Sequence, residues 1–235
     1  MKVIILAGGL GTRIMEETDI KPKPMVLIDE RPILWHVMSI FAAQGYSDFV
    51  IATGYKHEVI EEWVQNIETD WVITPYFTGQ DTQTGGRVKK CIEAFQSDRY
   101  FMTYGDGLAN VNLARLLSCH KKTGCTATVT AVRPPARFGV LQIEVDRVSH
   151  FGEKQQTDTG WINGGFFVLE KNVVDSVTND SDLFETYSLP KLALSNNLAA
   201  YKHYGFWQPM DTLRERNMLT ELANHRPKPW LDIGS

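Results

Sequence analysis

The chain has 235 residues, 43% of them hydrophobic and 22% charged, with a formal net charge of −4. That length suits a single α/β domain, residues 1–235, and the dispersed basic residues leave no electrostatic footprint for nucleic acid or an anionic membrane. No apolar run approaches the ~20 residues of a membrane span, and the apolar stretch after Lys2 meets a glycine-rich loop too soon for a signal peptide, so a cytoplasmic protein is expected.

Val3, Ile4, Ile5 and Leu6 form a short continuous apolar run, the pattern of a strand buried on both faces at the centre of a parallel sheet. Ala7, Gly8, Gly9 and Gly11 follow with little or no side chain, so a ligand can approach the backbone N–H groups that phosphates use as donors. Arg13 adds a guanidinium fork suited to phosphate oxygens, and Lys23 comes from a segment stiffened by Pro22 and Pro24. A P-loop would need Gly-Lys followed by Ser or Thr, whereas Gly11 is followed by Thr12 and Arg13. A dinucleotide fingerprint would need a third glycine where Ile14 stands. The plain alternative is a tight strand-to-helix turn, but such a turn has no use for two cations held by prolines.

After the loop, Pro32 suits a first helical position, and Ile33, Val37, Ile40, Phe41 and Gln44 make a helical stripe that Gly45 ends. His36 inside this helix reads as a satisfied, partly buried histidine. Asp48 to Thr53 reads as a strand, Lys56 to Ile67 as a helix and Asp70 to Pro75 as a strand. This alternation predicts βαβ units and a mostly parallel sheet. Tyr76 to Arg87 is polar and aperiodic, a loop with a helix starting near Arg87. Cys91, Cys119 and Cys125 are odd in number and form no CxxC pair, so neither a disulfide framework nor a zinc site is suggested.

Tyr100 to Tyr104 is an apolar strand ending at Gly105-Asp106-Gly107. A carboxylate at the C-terminal end of a parallel strand lies where open α/β sheets bind ligands, and Asp211 is a second carboxylate able to complete a magnesium site. The competing readings are an Asp-Gly turn for Asp106 and a helix N-cap for Asp211, the latter compatible with metal binding. Thr126 to Val132, Phe138 to Val145 and Val148 to Glu153 read as strands. Asn163, Gly164 and Gly165 lead into another, and the glycine pair predicts a bulge or a close backbone approach. Phe184-Glu185 begins a helix, where Glu185 contacts a ligand or caps the turn. Tyr201 to Trp207 makes a final strand and loop, with Phe206 and Trp207 read as core, and a last helix carries Leu213, Met218, Leu219 and Leu222.

The pattern LAGGLGTR followed by KPKPM resembles the signature of sugar-1-phosphate nucleotidylyltransferases, and EETDIKPKPMV is most similar to the glucose-1-phosphate cytidylyltransferases. PILWHVM, TGGRVKK, TYGDGLA, RFGVLQI, INGGFFVL and GFWQPMDTLRER follow in the family's order and cover nearly the whole chain. The resemblance implies a nucleotide-diphospho-sugar transferase fold: α/β, Rossmann-like, with a mixed, mostly parallel sheet and helices on both faces. It implies transfer of a nucleotidyl group from a nucleoside triphosphate, CTP first, to a sugar 1-phosphate, α-D-glucose 1-phosphate first, with Mg2+ as cofactor and a homo-oligomeric assembly. It assigns Arg13 and Lys23 to catalysis. Leu6, Ala7, Gly8, Gly9, Gly11, Thr12, Gly85, Gly86, Arg87 and Tyr104 go to the nucleotide, Gly139, Glu153, Lys154, Asn163, Gly164 and Glu185 to the sugar phosphate, and Asp106 and Asp211 to the metal. The chain departs from the family in two places. The segment before Thr84, which in the family reaches toward neighbouring subunits, is shorter here, and Gln155 stands where a proline usually follows Glu153-Lys154. UTP or dTTP, another sugar phosphate, or a binding-only protein are the alternatives.

Overall fold

The computed structural model describes residues 1–9, 11, 21–134, 140–152 and 160–233. In chain order the strands are β1 (Lys2–Leu6), β2 (Leu27–Ile28), β3 (Arg31–Pro32), β4 (Asp48–Thr53), β5 (Val72–Phe77), β6 (Arg99–Tyr104) and β7 (Gly107–Ala109). They continue with β8 (Ala127–Val132), β9 (Val140–Glu144), β10 (Arg147–Gly152), β11 (Ile162–Asn163), β12 (Phe167–Glu170), β13 (Leu198–Lys202) and β14 (Trp207–Pro209). The helices are α1 (Ile33–Ala42), α2 (His57–Asn66), α3 (Thr84–Ala94), α4 (Leu113–Thr123), α5 (Leu189–Leu194) and α6 (Leu213–Leu222).

Eight strands form one mixed sheet in the order β11-β8-β12-β6-β1-β4-β5, with β13 added alongside β8. β1 pairs in parallel with both β4 and β6, and β5 extends the parallel half beyond β4. β12 runs antiparallel between β6 and β8. The central, doubly buried strand expected from Val3 to Leu6 is thus present, and Val3, Ile4 and Ile5 are fully enclosed.

Alternate residues of β1 feed two different cores, as the two-residue period of a strand requires. Val3 and Ile5 join Val37, Phe41, Phe101 and Trp230 on the face covered by α1 and the C-terminal segment. Ile4 and Leu6 join Val50, Met102, Phe167 and Phe184 on the face covered by α3 and α5. Helix α1 buries far more than one stripe, because Leu34, His36 and Met38 are enclosed as well. It begins after Pro32, whose φ of −56° and ψ of 147° keep it in the N-cap position, one residue later than the sequence predicts. The cysteines are free, and burial pushes the Cys91 thiol up to about 12, which keeps it protonated.

His36 is 2% exposed. Its Nε2 donates to the Ile28 carbonyl oxygen at 3.0 Å, and its ring meets Trp230 edge-on at 5.3 Å. Burial lowers its pKa from 6.5 to about 4. The unfolded chain therefore binds more protons than the folded one between these values, and the contribution of His36 to stability is lost as pH falls from 6.5 toward 4. Integrated over that window the loss is about 3 kcal/mol. Urea unfolding of the parent and of His36→Gln across this range should show the steeper acid decline in the parent; identical declines would contradict the assignment.

Candidate active site

From β1 the chain first builds outward through β4 and β5, then crosses back to place β6 on the other side of β1. The order of strands reverses there, so the loops after β1 and β6 diverge and leave a crevice at the C-terminal edge, where doubly wound sheets bind ligands. A cavity of about 1230 Å3 opens at this point. Leu6, Ala7, Gly8, Gly9 and Gly11 line it from the first loop, and Tyr104 and Asp106 from the second. Its volume exceeds the ~300–1,000 Å3 typical of a single small-ligand pocket, which leaves room for two ligands together.

Asp106 and Asp211 are far apart in sequence, and a short ribbon unites them. β7 pairs antiparallel with β14 in the register Gly107↔Pro209, and one step further the Met210 N–H donates to the Asp106 carbonyl oxygen at 2.8 Å. Asp211 follows directly, and it lines the cavity together with Asp106. The N-cap of α6 is Thr212, which forms a capping box with Glu215, so the cap role left open for Asp211 belongs to its neighbour. The Asp211 side chain is instead turned to Lys23.

Lys23 sits in a 3-10 turn (Lys23–Met25) entered from Pro22, with the Met25 N–H bonded to the Pro22 carbonyl oxygen at 2.8 Å. Its ammonium donates to Asp106 Oδ2 at 2.6 Å and to Asp211 Oδ1 at 2.7 Å. Burial, the largest single influence, disfavours the charge, but the two carboxylates together outweigh it and raise the pKa. Lys23 is an ammonium in the folded protein. The ammonium and the two carboxylates form one charge cluster in the cavity lining.

The segment after β5 differs from the prediction. α3 begins at Thr84, three residues earlier than expected, which places Gly85 and Gly86 inside the first turn. They do not line the cavity. A Cβ on Gly85 would lie 2.7 Å from the Asp182 carbonyl oxygen and one on Gly86 2.8 Å from the Asp180 backbone, so these glycines permit close packing of α3 on that loop. The cavity wall here is Gln80 to Thr84, a stretch identified in the sequence only as polar.

Arg87 reaches the cavity but is 4% exposed. One guanidinium nitrogen donates to the Thr53 carbonyl oxygen at 2.7 Å, to Thr78 Oγ1 at 2.5 Å and to the Gly79 carbonyl oxygen at 3.0 Å. The other donates to the carbonyl oxygens of Gly8 at 3.0 Å and Gln80 at 3.3 Å. One side chain thereby fastens the glycine-rich loop to the ends of β4 and β5. A Cβ on Gly8 would fall 2.2 Å from this guanidinium, so Gly8 is required by Arg87 as much as by any ligand.

On the opposite wall, Tyr104 donates to Glu185 Oε1 at 2.6 Å, Thr84 donates to Glu185 Oε2 at 2.6 Å, and Asn163 Nδ2 donates to the Tyr104 hydroxyl at 3.1 Å. Burial, reinforced by Glu185, raises the Tyr104 pKa far above the phenol range, so it serves as a hydrogen-bond donor. Asn163, Gly164 and Glu185 all line the cavity. Gly164 passes so near Val132 that a Cβ there would lie 2.6 Å from that side chain, the close approach predicted for the glycine pair. Trp207, read as core from the sequence, lines the cavity too, with Nε1 donating to the Gly164 carbonyl oxygen at 2.8 Å. Thr12, Arg13, Gly139, Glu153 and Lys154 lie outside the described residues.

A glycine-rich loop, one ammonium and two carboxylates at a sheet switch point suit the transfer of phosphoryl-type groups, and the family model for nucleotidyl transferases matches residues 2–235. The chain belongs to the nucleotidyl transferase family. A glucose-1-phosphate cytidylyltransferase from Salmonella typhi is 43% identical over 253 aligned residues, covering 98% of each chain. A D-glycero-α-D-manno-heptose 1-phosphate guanylyltransferase from Aneurinibacillus thermoaerophilus is 30% identical, covering 88% of this chain and 89% of that one. The crystal structure of HddC from Yersinia pseudotuberculosis superposes with a TM-score of 0.75 at 24% identity, over 94% of this chain and 98% of that one. The fold is the mixed, mostly parallel α/β architecture expected of nucleotide-diphospho-sugar transferases. Among the described residues no helix is long and apolar enough to cross a membrane.

Arg87→Met removes five donor contacts, three of them buried, from four carbonyl oxygens and one hydroxyl. A loss of about 2–4 kcal/mol in urea unfolding is expected, with weaker binding of a nucleoside triphosphate by the folded fraction. Unchanged stability and nucleotide affinity would show that the loop is held by other groups.

Proposed function

We propose that this protein transfers a cytidylyl group from CTP to α-D-glucose 1-phosphate, forming CDP-glucose and pyrophosphate. The observation that carries this reading is the convergence of Lys23, Asp106 and Asp211 beside the glycine-rich loop. The choice of base and sugar rests on the 43% identity to the Salmonella typhi cytidylyltransferase. The family model spans nearly every residue, which supports one nucleotidyltransferase domain, and the reading places it in the cytoplasm as a homo-oligomer.

An oxygen of the sugar phosphate attacks the α-phosphorus, the bond to the β-phosphate oxygen breaks, and its electron pair leaves with pyrophosphate. Both reactants are anions, so alignment and neutralisation of charge dominate the barrier and no protein nucleophile is required. The loop from Leu6 to Gly11 holds the nucleotide, with Arg87 fixing its backbone from behind. Lys23 holds the α-phosphate and the attacking phosphate. The family resemblance assigns Arg13 to the departing pyrophosphate, and Glu153 and Lys154 to the sugar phosphate. Asn163, Gly164 and Glu185 face the hexose hydroxyls, with Tyr104 keeping Glu185 oriented.

Asp106 and Asp211 would hold Mg2+. Their fit to a cation is supported by the ammonium they already share, and their carboxylate oxygens are the hard ligands that Mg2+ prefers. When bound, the ion neutralises charge on the triphosphate. The same chemistry with another base or sugar is the second reading, favoured by the 30% identity to a guanylyltransferase of a different sugar phosphate.

Pyrophosphate release should be measured with glucose 1-phosphate and Mg2+ against CTP, UTP, dTTP, ATP and GTP. Fastest release with CTP is expected; release only with another triphosphate would move the specificity, and silence with all five would overturn the substrate assignment. Lys23→Ala should lower kcat by about 10²–10³ while leaving a folded protein by circular dichroism, and a near-normal rate would remove Lys23 from the chemistry.

A further inference from the structure

We propose that Lys23 is an internal surrogate cation, whose ammonium occupies the carboxylate pair of the nucleotide-free protein and withholds it from divalent metal until a triphosphate draws the ammonium away. The inference rests on the assignment of Asp106 and Asp211 to the metal. It goes further in giving the order in which cations use that pair.

The geometry is that of a filled site. Two carboxylates from separate elements, the loop after β6 and the end of the β7–β14 ribbon, aim one oxygen each at a single nitrogen, at 2.6 and 2.7 Å. The lysine side chain is only 11% exposed, against 33% and 22% for its partners. Without a cation between them the two carboxylates would repel in a partly buried setting. The ammonium removes that repulsion, and by doing so it takes the oxygens that a hard divalent ion would need. Both cations cannot use these oxygens at once without placing like charges at contact distance.

Lys23 is also built to let go. Its backbone is fixed by Pro22, Pro24 and the 3-10 turn, while four methylenes separate that backbone from the charge. Gly8, Gly9 and Gly11 border the same cavity. A triphosphate seated on that loop brings several negative charges, which offer the ammonium new partners and release the carboxylates. Metal and nucleotide then enter with positive coupling, each raising the affinity for the other, as linkage requires. Arg87, held by five carbonyl and hydroxyl contacts, has no such freedom.

The test uses Mn2+ alone, with no nucleotide, and counts bound ion by electron paramagnetic resonance on the full chain. Wild type should bind Mn2+ weakly. Lys23→Met should bind it at least about tenfold more tightly, and Asp106→Asn added to Lys23→Met should abolish the gain. If Lys23→Met does not fold, Lys23→Gln takes its place, with the rise in melting temperature on adding Mn2+ as the readout, expected to exceed that of wild type. Equal or weaker binding by the Lys23 variant, with wild-type binding that Asp106→Asn removes, would overturn the surrogate role and leave the metal assignment standing. Absence of Mn2+ binding in every variant would overturn both.

Discussion

The backbone hydrogen bonds that clamp β1 between β4 and β6 set the position of the glycine-rich loop and of the loop that carries Asp106. Because β1 sends Val3 and Ile5 to one core and Ile4 and Leu6 to the other, a slip of one residue would exchange the two cores. The register is therefore fixed from both faces. The height at which Ala7 and the glycines leave the sheet is fixed with it. The loop after β6 departs from the adjacent strand at the same level, with the Gly105 N–H bonded to the Leu6 carbonyl oxygen at 3.0 Å. The glycine-rich loop and Asp106 both hang from this edge.

Two buried cations divide the work in different ways. The Arg87 guanidinium is a planar fork, and it gathers the carbonyl oxygens at the ends of three parallel strands into one rigid node. The Lys23 ammonium is a point charge on a flexible stem, and it bridges carboxylates of two elements that share no strand pairing with its own. The first builds a frame, and the second balances charge within it. A guanidinium at position 23 would bring the wrong shape to two single carboxylate oxygens, and an ammonium at position 87 would lack the reach to join both loops.

Much of this was legible in the sequence. The apolar run of β1, the βαβ alternation and the glycine-rich loop followed from local pattern. So did Asp106, because a carboxylate at the end of a parallel strand is a local feature. What the sequence did not disclose depended on distant partners. Gly85 and Gly86 look like loop glycines until the 180–182 segment is seen pressing on α3. Arg87 lines the cavity as expected, but its bonds to the carbonyl oxygens of Gly8 and Thr53 depend on partners far from it in sequence. Trp207 packs against the core as its apolar character suggests, and its hydrogen bond to Gly164 at the cavity wall depends on a partner distant in sequence. Asp211 was the cap candidate offered by the sequence, and the Thr212 hydroxyl holds that place because Glu215 completes the box from its own helix.

The β7–β14 ribbon joins an early part of the site to one that comes late in the chain. Every strand of the main sheet is encoded by position 202, while Trp207 and Asp211 come after it. On the ribosome the residues that form the sheet and the glycine-rich loop are thus made before the second carboxylate exists. For that interval Lys23 has Asp106 as an acidic partner and no Asp211. The anionic centre is completed near the end of synthesis together with Leu219, Ala223 and Trp230, which close the core over Val3 and Ile5, so a chain terminated before position 211 lacks the charge pair and the packing of the sheet alike.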